Sequence, residues 1–242
     1  MALAMALIGL LLLLEPDLGA FIVIAAVAMG LLFLGGVSAR LFAGLALVLP
    51  ALLAAVIWFS PWRRARMFAY LDPFDEKNAL GKGYQLSHSL IAFGRGEWFG
   101  VGLGASVEKL HYLPEAHTDF VLAIVAEELG LVSVLLLLLL FFGFIARALM
   151  LARRNEESGR LFAAYLGYGI SLLFLGQLVI NAAVNVGLLP TKGLTLPFLS
   201  YGGSSLIMSI AMVAVLLRID IEHHLYTTQP RTVQPNSREV SR

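Results

Sequence analysis

VLAIVAEELGLVSVLLLLLLFFGFIA, running from Val121 to Ala146, decides the fold. Apart from Glu127 and Glu128 it carries no ionisable side chain. A helix needs about 20 apolar residues to cross the hydrocarbon of a bilayer, and this run exceeds that length. In lipid, only helices and closed barrels satisfy their own backbone, and barrel strands alternate apolar with polar residues. An unbroken apolar run does not alternate, so it reads as a membrane-spanning helix. Composition extends the reading to the whole chain: of 242 residues, 59% are hydrophobic and 14% charged, too few for a polar exterior. A net charge of +1 supplies no basic face for nucleic acid. With no cysteine, disulfide frameworks and Cys-based metal sites are both excluded.

The same ruler gives an all-α, polytopic helix bundle with about six spans, near 1–14, 18–36, 40–60, 120–146, 161–183 and 203–219. The first is short, lacks a basic leader, and runs into Glu15-Pro16-Asp17 instead of a small-residue cleavage site. It reads as a clipped helix, implying a natural start further upstream, and not as a signal peptide. The chain therefore divides into 1–60 with three spans, a long polar segment 61–119, 120–219 with three spans, and a tail 220–242 expected to be disordered. Lys and Arg set the orientation. Arg40, the group Arg147, Arg153, Arg154 and Arg160, and Arg218 with the tail arginines share one side, and Lys192 is the one cation in the short loops of the other. The arginine side is expected to be cytoplasmic. That puts the Glu15–Asp17 turn, 61–119 and 184–202 outside, although 61–119 itself carries Arg63, Arg64, Arg66, Lys77, Lys82, Arg95 and Lys109. Long loops translocate with less regard to charge.

Within that segment, Tyr84–Phe93 gathers Leu86, Leu90, Ile91 and Phe93 on one helical side, as an interfacial or re-entrant helix would. Gly94, Gly96, Gly100, Gly102 and Gly104 follow. No strand precedes them, so a dinucleotide loop is not available, and a mobile hinge is expected. Tyr112-Leu113-Pro114-Glu115-Ala116-His117-Thr118-Asp119-Phe120 then opens the fourth span. Asp119 or Thr118 can cap that helix. Alternatively Asp119, partly desolvated at the membrane boundary, has its pKa raised toward that of a useful base. Glu115 and His117 lie beside it, but two carboxylates and a histidine do not make a metal site. Glu127 and Glu128 either face the bundle interior or mark a span that begins later. The loop from Leu189 to Ser205 is rich in turn formers, and Lys192 adds a cation to it; its glycines serve either as turns or as an anion-binding helix start.

Glu15-Pro16-Asp17-Leu18-Gly19, Gly94–Glu97, Tyr112–Phe120, Glu127–Gly130, Leu189–Pro197 and Ser200–Ser205 resemble, in order, the motifs of the FtsW/RodA polymerases, the SEDS family. The likeness covers nearly all of residues 10–220. Ala116 and the Thr191-Lys192 pair resemble the division-type branch; elongation-type members usually have Arg at the first position and lack the pair. The resemblance implies helices five to ten of a ten-helix fold, in the bacterial inner membrane at the division septum. It implies polymerisation of lipid II into glycan strands, with Asp119 as the essential carboxylate acting as general base. Lys192, Arg95, Glu115, His117 and Ser200 are the expected substrate-binding residues, with no protein metal site but a divalent cation, Mg or Mn, as a candidate companion. The implied partners are lipid II, the nascent lipid-linked glycan, a class B penicillin-binding transpeptidase, other divisome proteins and membrane lipids. Pyrophosphate leaves well as an anion, so a base alone suffices where a glycosidase needs an acid as well. Two rival functions are a lipid II flippase, which would need polar groups through the midplane, and a non-catalytic divisome scaffold.

Overall fold

The computed structural model describes residues 17–228, with Gly9 and Leu11. The rest of the span expected at 1–14, Glu15-Pro16 and the tail beyond Thr228 lie outside the described residues. All regular structure among the described residues is helical: α1 (Leu18–Leu34), α2 (Ala39–Trp58), α3 (Pro61–Leu71), α4 (Glu76–Ala79), α5 (Tyr84–Gly96), a wide turn at Glu108–Tyr112, α6 (Val121–Glu157), α7 (Leu161–Asn185) and α8 (Gly203–Thr228). Helices α2, α6, α7 and α8 are each long and apolar enough to cross a membrane, and α1 is a shorter apolar helix. This is a multi-pass membrane helix bundle.

Local chemistry explains the boundaries. Asp17 caps α1, its Oδ1 accepting from the Ala20 N–H at 3.0 Å. Pro61 begins α3, where a missing N–H costs nothing. Helix α6 is interrupted at Gly130 (φ 77°, ψ 177°), a conformation open to glycine alone without strain. The interruption leaves a short helical piece, 121–129, ahead of a longer one, so Glu127 and Glu128 precede the long apolar run. At its far end α6 continues to Glu157, beyond the expected 146, with Arg153 and Glu157 paired at 3.0 Å. Residues 220–228, expected as the start of the tail, instead extend α8. Glu222 accepts from Arg160 at 2.5 Å and from Arg218 at 2.8 Å, tying this extension to the α6–α7 corner.

The core lies between α6 and α7, where Leu122, Phe174 and Leu178 are fully buried, and it is roofed by Leu196. Phe198 stacks among Phe141, Phe144 and Phe174, with ring centroids 5.4–6.3 Å apart, so the loop before α8 is anchored in the bundle. Helix α5 packs on α6 and α7 through Leu86, Ser89, Ala92 and Gly96, all buried; small side chains let the backbones approach. The glycine run expected as a mobile hinge begins as a docked joint. Val101 and Gly102 N–H donate to the carbonyls of Glu127 and Glu128 at 2.9 and 3.0 Å, and Leu131 N–H donates to Glu97 O at 2.9 Å. A Cβ on Gly96 or Gly100 would collide with the α6 backbone, which is why glycine stands there.

Candidate active site

Asp119 lies just before α6. The cap reading fails: Phe120 occupies the N-cap position, with no side-chain cap bond. The Ala123 N–H is shared between Phe120 O, at 3.0 Å, and Asn185 Oδ1 of α7, at 3.1 Å. Asn181 and Asn185, one turn apart on α7, each donate an amide N–H to the Asp119 carbonyl at 2.9 Å. Asn181 also donates to Leu194 O at 2.6 Å. From the opposite side Ser200 Oγ donates to Thr118 O at 2.5 Å, and Tyr201 N–H donates to His117 O at 2.8 Å. The backbone of residues 117–119 is thus clamped between α7 and the 194–201 loop, while among the described residues the Asp119 carboxylate makes no hydrogen bond. The asparagines reach this carbonyl from more than 60 residues away in sequence.

Electrostatics tune the free carboxylate. Burial first, then the neighbouring Glu115 and Asp17 carboxylates, raise the Asp119 pKa to about 6. Gly193 lies against it: a Cβ there would sit 3.3 Å from Oδ2. Lys192 is half-buried; burial and the Arg66 and Arg63 charges lower its pKa, and Asp17 opposes them. One end of the molecule therefore gathers Asp17, Asp119, Glu115, Lys192, Arg63 and Arg66. Sequence reasoning missed the two arginines, although their i, i+3 spacing places both on one side of an amphipathic helix.

The other expected residues divide. Glu115 has φ 58° and its Oε2 accepts from Thr118 Oγ1 at 2.7 Å. His117 is exposed. The Ser200 hydroxyl is engaged with backbone on both sides, also accepting from Leu196 N–H at 2.7 Å, so it positions the loop. Arg95 pairs with Glu127 at 3.2 Å, about two turns along α6 from Asp119. Glu127 is fully buried and pins the 106–108 segment, accepting from Ser106 Oγ and from the Val107 and Glu108 N–H groups at 3.1 and 3.3 Å. Glu128 pairs with Lys109. Both glutamates are thereby satisfied inside the protein, as an ionisable group in a membrane bundle must be. Among the described residues no three His, Asp or Glu side chains gather so as to hold a metal ion.

Fold and site together define a polytopic membrane protein that presents one tuned carboxylate beside a group of cations at the end of its helices. Residues 1–225 match the FtsW/RodA/SpoVE family model, described as "Cell cycle protein". The chain is 58% identical over 225 residues to the "Probable peptidoglycan glycosyltransferase FtsW" of Burkholderia thailandensis, covering 93% of this chain and 49% of that relative. The protein of the same description in Aromatoleum aromaticum is 57% identical over 222 residues, 92% of this chain and 54% of the relative. The chain spans about half the length of these curated relatives. The fold matches, with TM-score 0.71 and 30% identity over 92% of this chain and 61% of the other, a solved chain described under "Structural coordination of polymerization and crosslinking by a peptidoglycan synthase complex". The chain belongs to the FtsW/RodA/SpoVE family.

Proposed function

We propose that this chain carries the base and part of the substrate site of a peptidoglycan glycosyltransferase that polymerises lipid II during septal wall synthesis. The observation behind this reading is the Asp119 carboxylate, unbonded, raised to about 6, and mounted on a clamped backbone. A base with that pKa is ionised at neutral pH yet strong enough to take a proton in a transition state. The acceptor sugar's 4-hydroxyl oxygen attacks the anomeric carbon of the lipid-linked chain and passes its proton to Asp119. The bond from that carbon to pyrophosphate breaks, the electron pair leaves with the pyrophosphate, and the configuration inverts. Lys192 opposes the growing negative charge. Glu115 and His117, exposed beside the base, are the candidates to contact sugar. Both substrates are anchored in one membrane plane, which supplies proximity.

The site faces the extracytoplasmic side in this reading, where lipid II arrives, and the protein works beside a class B penicillin-binding transpeptidase. The test is fluorescent lipid II given to the protein in proteoliposomes. Glycan strands support the polymerase; translocated monomer without strands would mean a flippase, and neither would mean a scaffold.

A further inference from the structure

Two cavities meet at α3, and neither contains a residue that sequence reasoning placed in the site except Lys192. The first is a narrow pocket of about 90 Å³. Leu18 and Ile22 of α1 and Leu53 and Ile57 of α2 form its apolar wall; Arg63, Arg66 and Lys192 stand at its polar rim. The second is an open cleft of about 540 Å³ that shares Trp62 and Arg66 with the first and includes Lys82, Tyr84, Gln85 and Pro114 in its lining. The cleft falls in the range of ligand sites, roughly 300–1,000 Å³, and the apolar pocket beside it is far smaller. Pro114 adjoins Glu115, so the cleft opens toward the segment that carries Asp119.

Among the described residues, the cations at the rim of the first pocket, Arg63, Arg66 and Lys192, are not paired with carboxylates. The Arg63 Nε is buried without a hydrogen-bond partner. Arg66 is half-buried and sits over the Trp62 ring at 4.9 Å from its centroid. Asp17 is an opposing charge that acts on Lys192, and its Oδ1 is engaged in capping α1. Three partly desolvated cations facing one another are unfavourable unless an anion lies among them. Arginine forks match phosphate oxygens, and lysine adds a point charge. A phosphodiester headgroup would balance only one of the three; the pyrophosphate that joins a polyprenyl chain to a sugar is esterified at both ends and still carries two negative charges.

Taking the glycosyltransferase reading as its basis, we propose that these two cavities form one amphiphilic cradle for a polyprenyl-pyrophosphate-linked saccharide. The isoprenoid tail lies against α1 and α2, the pyrophosphate among Arg63, Arg66 and Lys192, and the sugar in the cleft beyond Trp62. An apolar wall, a cationic rim and a polar cleft succeed one another in the order in which that ligand changes character.

The test is equilibrium binding of radiolabelled undecaprenyl pyrophosphate to the protein in phosphatidylcholine nanodiscs. The double substitution R63A/R66A should weaken binding by about 10- to 100-fold, the loss of two charge-assisted contacts, whereas R63K/R66K should retain most of it. Leu53→Trp, which fills the apolar cavity and leaves every charge in place, should also weaken binding, and it carries the test if the arginine variants fail to fold. Excess phosphatidylglycerol should not displace the probe. Unchanged affinity in folded R63A/R66A or in Leu53→Trp, or displacement by phosphatidylglycerol at equal concentration, would overturn the proposal. Asp119→Asn separates the two readings, because it should bind the probe normally while making no strands. Strand synthesis by Asp119→Asn would sink the base and leave the cradle standing.

Discussion

Replacing Asp119 by Asn should abolish glycan synthesis and stabilise the fold at neutral pH. Burial and two neighbouring carboxylates raise this group from 3.8 to about 6. A shift of roughly 2 units, at about 1.4 kcal/mol each, is a penalty near 3 kcal/mol for the ionised form in the folded state; partial exposure cuts it to about 1–2 kcal/mol. The sign follows from proton binding. Between about pH 4 and 6 the folded state binds more protons than the unfolded state, so wild-type stability falls as pH rises through that window and stays reduced above it. An asparagine is neutral throughout. The variant should therefore melt higher than wild type at pH 7.5, and the difference should close as pH falls toward 4, where the carboxyl is protonated in both states. Thermal melts in detergent at the two pH values, beside a lipid II polymerisation assay, read both effects. A structural role predicts the opposite pattern, with Asn melting lower at pH 7.5, and that result, or retained synthesis, would refute the argument. The cap alternative is already excluded by geometry, since Phe120 stands at the N-cap and the Ala123 N–H is satisfied by Phe120 O and Asn185 Oδ1.

Lys192→Ala should slow turnover far more than Lys192→Arg, since positive charge near pyrophosphate is the requirement; equal wild-type rates would remove Lys192 from the mechanism. Asp17→Asn retains an oxygen that can cap α1 but removes a charge that raises both Asp119 and Lys192. Both limbs of the pH–rate profile should move to lower pH, and limbs that stay fixed or move in opposite directions would show that Asp17 does not couple the two groups. For sidedness, the absence of native cysteine allows single reporters. Ser106 is buried against Glu127 and unsuitable, so Ala105→Cys, Leu188→Cys and Glu157→Cys at exposed positions are preferred. An impermeant thiol reagent on intact spheroplasts should label 105 and 188 and spare 157, and labelling of 157 alone would put Asp119 on the wrong face for the proposed reaction.

The spans within 17–228, and the places of Asp119 and Lys192 at their edges, were legible because each is a local signal: a long apolar run, or an ionisable side chain beside it. What was not legible depends on partners distant in sequence. Asn181 reads as an isolated polar residue in an apolar helix until Asp119 and Leu194 are seen to share its amide. Arg95 looks like a free cation beside the site, and only the fold shows Glu127 opposite it. Arg63 and Arg66 were weighed as an excess of positive charge in a long loop, where the informative fact was the cavity they border with Lys192. The glycines from Gly96 to Gly102 signal freedom locally, yet the α6 backbone uses two of them, Gly96 and Gly100, for close approach.

The clamp on Asp119 is built almost wholly from neutral groups, and this has a chemical reason. A guanidinium or ammonium holding the 117–119 segment would fix its geometry equally well, but an adjacent cation would draw the carboxylate pKa down and weaken it as a base. Two asparagine amides, a serine hydroxyl and a backbone N–H fix the segment and leave the charge of Asp119 to its acidic neighbours. The cations stand instead around Lys192, which reaches the same end of the molecule through the loop touching Asp119 at Gly193. Asp17 acts on both groups, keeping the carboxylate basic while favouring the charged form of the lysine. Carboxylate and cations can thus lie close together without neutralising each other, as the proposed reaction, which removes a proton and releases pyrophosphate, would require.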